Sequence, residues 1–434
     1  GDRLVPQNLS NFDAALRDIA APYVVSQVNY KTVALDLAQE GESEIADGRR
    51  ARVTLHVRRN YSGVKTTPEG RTLPTAGNQQ FLPMYIPYVD VTGRISLTVQ
   101  VIDQSESNRG AFINAMMEEM DGLVRDTVQY RNEMMCGYGS GIVCRVNGNP
   151  AASATSADVD DPAGFTQATN GTRFIAPGQI LAAIRANAVV ANTPLTVDSV
   201  TDSDTVAFAA NTADLADNDV LVRAASTTIT NVEDTDLNAP IVGIPGHVDD
   251  GGLVNSYFGI NRTSYPILQS RVVSNAGAIS ADLIQREIDV AEQRGQGDIK
   301  VHLMHHSTRR AYLAVMEGDR RYTGADLRNP DLGTKAAQVV RGSGVGFGNT
   351  PIREEKHFPY GMWIGMDNSS FMRFVSVEGR WEDRGGSILQ LDTAGATHTF
   401  TALFYMRDAF AMTRPNSCFR LDGLTTSVVA LNLA

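Results

Sequence analysis

What the chain lacks narrows its class before any motif is read. Its 434 residues hold no run of about 18 apolar side chains, the length a membrane-crossing helix needs. The opening GDRLVPQNLS is polar and shows no signal-peptide pattern. Gly1 at its head is compatible with Met removal, proteolytic maturation or trimming. Cysteine is scarce: Cys136, Cys144 and Cys418 are too few and too scattered for a disulfide framework or a zinc site. Reduced structural thiols made in a cytoplasm are expected. Lysine is scarcer than arginine, five against thirty-three.

Catalytic signatures are absent as well. There is no GxSxG elbow, no Cys–His pairing signal and no obvious carboxylate dyad. Gly342, Gly344, Gly346 and Gly348 neither follow dinucleotide-binding spacing nor end in Gly-Lys-Ser/Thr, so they read as a flexible turn. His302, His305 and His306 form the one histidine cluster. In a strand His302 and His306 share a face and His305 points away, so three metal ligands do not converge. Asp202, Asp204, Asp214, Asp217 and Asp219 lack the terminal Glu of a calcium loop and read as solvated turn acids. No catalytic residue, cofactor or metal is expected.

What is present is architectural. The length exceeds what one core comfortably supports, so two or three packed units are expected. The net charge of -11 is unevenly placed. Residues 151–250 hold 14 acidic side chains against Arg173, Arg185 and Arg223, which accounts for the whole excess. That acidity argues against nucleic acid on this face, because phosphates favour basic surfaces.

In chain order, residues 1–48 read as an arm with a short helix near Asn11–Ile19. In residues 49–102, Val53, Leu55 and Val57 alternate with polar neighbours, as do Ile95, Leu97, Val99 and Val101. The Gly-, Pro- and Thr-rich excursion between them predicts a long protruding β-loop. Connections beyond about 12–15 residues tend to be functional. Residues 103–150 open with one long amphipathic helix, Asn108 to about Met135. Phe112, Ile113, Met116, Met117, Met120, Leu123 and Met134 lie on its apolar side, and Ser105, Ser107 and Asn108 are candidate caps. At ~1.5 Å per residue it spans about 40 Å. Gly122 in its middle predicts close packing or a bend. GYGSGIVCRVNGNPAASATSADVDDPAG reads as a flexible exit. Residues 151–250, with PLTVDSV, DTVAFAA and DVLVRAA, predict a small β-barrel or sandwich. Residues 251–370 are mixed α/β, with Ser280 and Ser307 as helix caps, and 371–434 are returning strands.

This order of parts resembles the major capsid protein of tailed double-stranded-DNA bacteriophages, the Hong Kong 97-type fold. The local match lies in SYFGINRTSYPILQSRVV followed by ISADLIQREIDVAEQRGQGDIKVHLMHHSTRRAYLAVMEGDRRY. The resemblance implies an α+β fold with an N-terminal arm, an extended β-loop, a spine helix, peripheral and axial domains, and an inserted small barrel. It implies an icosahedral shell subunit forming hexamers and pentamers around double-stranded DNA, which it contacts nonspecifically. Portal, scaffold or maturation protease, and a decoration protein are the implied partners, and the virion, assembled in the host cytoplasm, is the implied location. Arg58, Arg59, Lys65, Glu69, Arg71, Phe81, Leu82 and Tyr85 are the expected assembly contacts, since a protruding loop with both charge signs suits a neighbour's complementary surface. Some relatives link a loop lysine to an asparagine. Lys65 is the one lysine there, no matching Asn stands out, and cross-linking is not expected. A non-viral compartment of the same fold, and a hydrolase using His302, His305 and His306, are the alternative readings.

Overall fold

The computed structural model describes residues 32–98 apart from 41–43 and 46–48, and residues 109–318 apart from 152, 153 and 213. It further describes 346–429 apart from 348, 349, 384–387, 389 and 393–398. The expected helix at Asn11–Ile19, the caps Ser105, Ser107 and Asn108, and Gly342, Gly344 and Gly348 lie outside the described residues. So do the side chains of Phe112, Ile113, Met116 and Met117.

Strands β1 (Gln39–Glu40) and β2 (Glu44–Ile45) precede a long hairpin of β3 (Arg50–Arg58) and β4 (Gln80–Pro87). These two pair antiparallel from Arg50↔Pro87 to Arg58↔Gln80. The return strand of the loop is therefore β4, not the Ile95–Val101 run expected from the sequence. Leu82, Met84 and Ile86 alternate inward, and Met84 and Ile86 are fully buried. Pro83 and Pro87 obscure that pattern, yet proline is tolerated because β4 is an edge strand whose outer side pairs with no strand among the described residues. Strand β5 (Val89–Thr98) leaves the hairpin and enters another sheet, followed by helix α1 (Arg109–Met135). Gly122 lies inside this helix with nothing among the described residues within 4 Å of the position a Cβ would take, so close packing against them is not its reason.

The segment expected as a flexible exit is instead the start of a barrel: it supplies β6 (Ile142–Val146) and β7 (Ser156–Asp160). With β8 (Ile180–Arg185), β9 (Ala188–Val189), β10 (Leu195–Val200), β11 (Thr205–Phe208) and β12 (Val220–Arg223), they form one antiparallel sheet. Its order is β10–β11–β7–β6–β12–β8–β9, and β8 also pairs β10 through Leu181↔Leu195, so six strands close on themselves. Closure removes exposed edges, and inward positions such as Val159, Leu181, Val197, Val206 and Leu221 fill the interior. Both connections to the barrel run beside the C-terminus of α1. A Cβ on Gly243 would sit 2.3 Å from the Gly137 carbonyl oxygen, so only glycine allows this approach.

Beyond the barrel come α2 (Ile244–His247), the short pair β13 (Ser256–Tyr257) and β14 (Ile260–Asn261), and β15 (Arg271–Val273). Helix α3 (Ala281–Gly295) is capped by Ser280, whose Oγ accepts the Leu283 amide at 3.1 Å. Then follow β16 (Val301–Met304), α4 (His306–Gly318), β17 (Gly346–Phe347), β18 (Thr350–Glu354), β19 (Trp363–Met366), β20 (Phe371–Trp381), β21 (Gln390–Asp392), β22 (Thr399–Met412) and β23 (Phe419–Leu421). A six-stranded mixed sheet runs β15–β23–β19–β16–β18–β17. The other large sheet is built on β22, flanked by β20 and β21 on one side and by β5 on the other. No described helix is long and apolar enough to cross a membrane.

Candidate assembly surface

The C-terminal turns of α1 hold the parts together. Arg131 is buried against Asp408 of β22, which also takes Arg373 of β20 at 2.9 Å. Burial, then the charge of Arg373, lowers the Arg131 guanidinium to about 10. Asn132 Oδ1 accepts the amides of Ala34, at 3.1 Å, and Leu35. Glu133 pairs with Arg223 of the barrel at 3.0 Å, and the Tyr130 hydroxyl donates to Asp236. One end of one helix thus fixes the N-terminal segment, the β22 sheet and the barrel.

From this frame the hairpin reaches outward. Its base is anchored: Ala51, Leu55, Met84 and Ile86 pack with Tyr257, Ile260, Leu268, Phe374 and Ala409. Burying Met84 and Ile86 contributes roughly 1.5–3 kcal/mol each. Beneath lies the Gly-Ile-x-Arg stretch singled out in the sequence. Arg262 is fully buried, donating to Asp249 at 3.1 Å and to the His247 carbonyl at 2.9 Å. Arg420 reaches the same Asp249 at 3.1 Å. The motif is a structural staple.

The hairpin's outer end, residues 59–79, has no such support. Asn60 pinches its neck: Oδ1 accepts the Gly63 amide at 2.9 Å and Nδ2 donates to the Gly77 carbonyl at 2.7 Å. Beyond that neck Tyr61, Val64 and Leu73 are about four-fifths exposed. Arg58, Arg59, Lys65, Glu69 and Arg71 are all exposed, and none has a salt bridge among the described residues. Phe81 is 60% exposed and leans on the His56 ring at 5.0 Å. Tyr85 is also exposed, with the Arg50 guanidinium over its ring at 5.8 Å. Leu82 departs from this group. It lies on the inward face, against the core at the hairpin's base.

The histidines do not converge. Strand β16 ends at Met304 and α4 begins at His306, so the single-strand geometry expected from sequence does not arise. His302 is buried and its Nδ1 accepts the Trp363 indole at 3.1 Å; burial lowers it to about 4. His305, rather than Ser307, caps α4, its Nδ1 accepting the Ser307 amide at 3.0 Å. Burial and the nearby Arg173 charge lower it to about 2, which keeps that nitrogen an acceptor. His306 pairs with Glu354 at 2.6 Å. No three His, Cys, Asp or Glu side chains among the described residues are arranged to hold a metal. The three cysteines are buried and free, and burial pushes the Cys418 thiol up to about 11. Asp202 serves its own turn, accepting the Asp204 and Thr205 amides at 2.8 Å.

Asp249, Arg420, Asp408 and Asn132, which fix the frame, were not singled out from the sequence. Their partners lie up to 277 residues away, as in Arg131–Asp408, and no local spacing signals such pairs.

No family model matches the sequence, and none of the curated proteins matches it. Among solved structures the chain is similar to a chain of the cyanophage A-1(L) capsid asymmetric unit, at 8% identity and TM-score 0.45, over 94% of this chain and 96% of that one. It is similar to a chain from Gordonia phage Cozz at 10% identity and TM-score 0.43, over 98% and 92%. It is also similar to a chain of the capsid of a native GTA particle at 10% identity and TM-score 0.45, over 96% and 100%.

Proposed function

We propose that this chain is the structural subunit of a closed icosahedral shell of the Hong Kong 97 type, assembling into hexamers and pentamers around double-stranded DNA. One observation carries the reading: an anchored hairpin ends in an outer segment, residues 59–79, whose apolar and charged side chains find little in their own subunit. Fixing a backbone residue costs on the order of 1–2 kcal/mol, and exposed Tyr61, Val64 and Leu73 offset none of it within one chain. A neighbouring copy does. Arg58, Arg59, Lys65, Glu69, Arg71, Phe81 and Tyr85 are the proposed contacts, and Leu82 supports them from the core side. On this reading α1 is the spine, the six-stranded mixed sheet is the axial domain, the β22 sheet belongs to the peripheral domain, and the barrel is an insertion. Portal, scaffold or protease, and decoration proteins are proposed partners, and the virion is the proposed location.

Negative-stain imaging and light scattering of the expressed chain, with scaffold or co-expressed partners supplied, test this. Particles with five-fold and six-fold rings are expected. Only monomer or dimer under every assembly condition overturns the reading.

A further inference from the structure

The charged segments of the hairpin and the barrel are complementary. Between His56 and Leu82 the chain places four cations, Arg58, Arg59, Lys65 and Arg71, against the single anion Glu69. All five are exposed. The barrel has the opposite character. Asp158, Asp198, Asp202, Asp214 and Asp217 are exposed on it. Its four arginines are all engaged: Arg145 with Asp161 at 3.7 Å, Arg185 with Asp219 at 2.6 Å, Arg223 with Glu133, and Arg173 with the Phe358 carbonyl at 3.0 Å. The barrel's surplus of carboxylates therefore faces solvent without a cation of its own. Among the described residues no salt bridge joins Arg58, Arg59, Lys65 or Arg71 to the barrel of the same chain.

We infer that the basic outer segment of the hairpin docks on the acidic barrel of a second copy of this chain, an inference that rests on the shell reading above. The barrel face concerned is the sheet β10–β11–β7, where Asp198 and Asp158 stand on the outside of the two flanking strands. The apolar side chains favour a protein partner. Tyr61, Val64 and Leu73 sit among the cations at 78%, 82% and 78% exposure, and a phosphate backbone offers such groups nothing to cover them. Complementary charge sets encounter rate and register, and the buried apolar groups hold the contact. The barrel itself, residues 142–224, holds nine aspartates against four arginines, a surplus of five negative charges for such pairing.

Two readouts test the inference. The first is carbodiimide coupling of the full chain, mixed from light and heavy isotope preparations. Lys65, the one lysine on the hairpin, is expected to join a barrel carboxylate of the other isotope. Particles that form without this link overturn the docking and leave the shell reading standing. The link without particles keeps the docking and removes the shell. The second readout is charge reversal. Arg58→Glu with Arg59→Glu, or Asp158→Lys with Asp198→Lys, is each expected to slow association about tenfold at low salt. All four changes in one chain restore it to within about threefold. A combined variant no better than either pair overturns the inference. So does a hairpin effect that disappears when nucleic acid is digested, which assigns the cations to DNA.

Discussion

The barrel and the hairpin are both β-structure, but they differ in where their stability comes from. The barrel closes its own hydrogen-bond ladder and fills its interior with Val159, Val197, Val206, Phe208 and Leu221, all nearly inaccessible. The hairpin is closed only at its base, where Met84 and Ile86 are covered, while Phe81 and the outer segment remain in solvent. One element is complete in a single chain. The other is completed by whatever lies beside it. On the proposed shell reading the barrel is the insertion that needs no partner and the hairpin is the arm that a neighbouring copy completes.

The comparison is broken most directly by two phenylalanines. Phe208→Ala empties a filled barrel interior and is expected to cost about 3–5 kcal/mol in urea unfolding of the unassembled chain. Phe81→Ala removes a ring that is 60% exposed and is expected to cost less than about 1 kcal/mol in the same measurement. In assembly the ranking reverses for the hairpin, with Phe81→Ala lowering particle yield while the monomer melts as before. A Phe81 variant as destabilised as Phe208→Ala would mean that the hairpin is already complete in one subunit.

The second contrast is pH. Residues 142–224, the barrel, contain no histidine, whereas the mixed α/β part buries His247 and His302. Burial, helped for His247 by Arg262, lowers these to about 3 and about 4 from an ordinary 6.5. Above pH 6.5 neither folded nor unfolded chain holds these two protons, and stability is at its full value. Below 6.5 the unfolded chain binds these two protons and a third on His305, which the fold also holds down, while the folded chain binds none, so stability falls by up to about 4 kcal/mol per pH unit. Urea melts followed by the fluorescence of Trp363, which hydrogen-bonds His302, should show that loss between pH 6.5 and 5. His302→Gln should reduce the slope by about a third. A flat profile would show that protonated histidines are accommodated in the fold.

How much of this was legible from residues alone varies with the range of the interactions. Helix α1, the Ser280 cap and the barrel strands β10, β11 and β12 follow from spacing within a dozen residues, and the sequence showed them. The return strand β4 did not, because Pro83 and Pro87 mask its alternation, and only pairing with β3 reveals that both prolines face an open edge. Strands β6 and β7 were hidden by the glycines and small residues that flank them, whose use becomes clear at Gly141, just before β6, where a Cβ would meet the Asp236 carbonyl. The assembly residues were chosen for charge on a protruding loop. Most are exposed as that choice requires, and Leu82 is turned inward by the two-residue period of β4. Asp408 gave no signal because Arg131 arrives from 277 residues away, and Asp249 because nothing in the 13 residues to Arg262 marks the two as partners and Arg420 comes from a distant strand.

A kinetic contrast is smaller but needs no substitution. Lys65 and Arg71 are exposed trypsin sites beyond the Asn60 neck, whereas Arg173 and Arg223 of the barrel are engaged with Phe358 and Glu133. Limited digestion of unassembled chain should cut at Lys65 and Arg71 first, by roughly tenfold over the barrel sites. In particles the hairpin cuts should disappear. Equal protection in both states would place the outer segment on its own subunit.

The smallest expected effect comes from the helix that joins the two regions. Gly122 costs α1 about 1 kcal/mol relative to alanine. Nothing among the described residues lies within 4 Å of an added Cβ, so no contact with them explains its presence. Gly122→Ala should therefore raise the stability of the unassembled chain by up to about 1 kcal/mol. What happens on assembly then separates two explanations. If a neighbouring subunit lies against this turn, the added methyl obstructs it, and the more stable chain assembles more slowly. If nothing lies there, assembly is unchanged and the glycine is a tolerated weakness of the spine. A loss of monomer stability would contradict both, because it would require a clash that the open space around Gly122 does not provide.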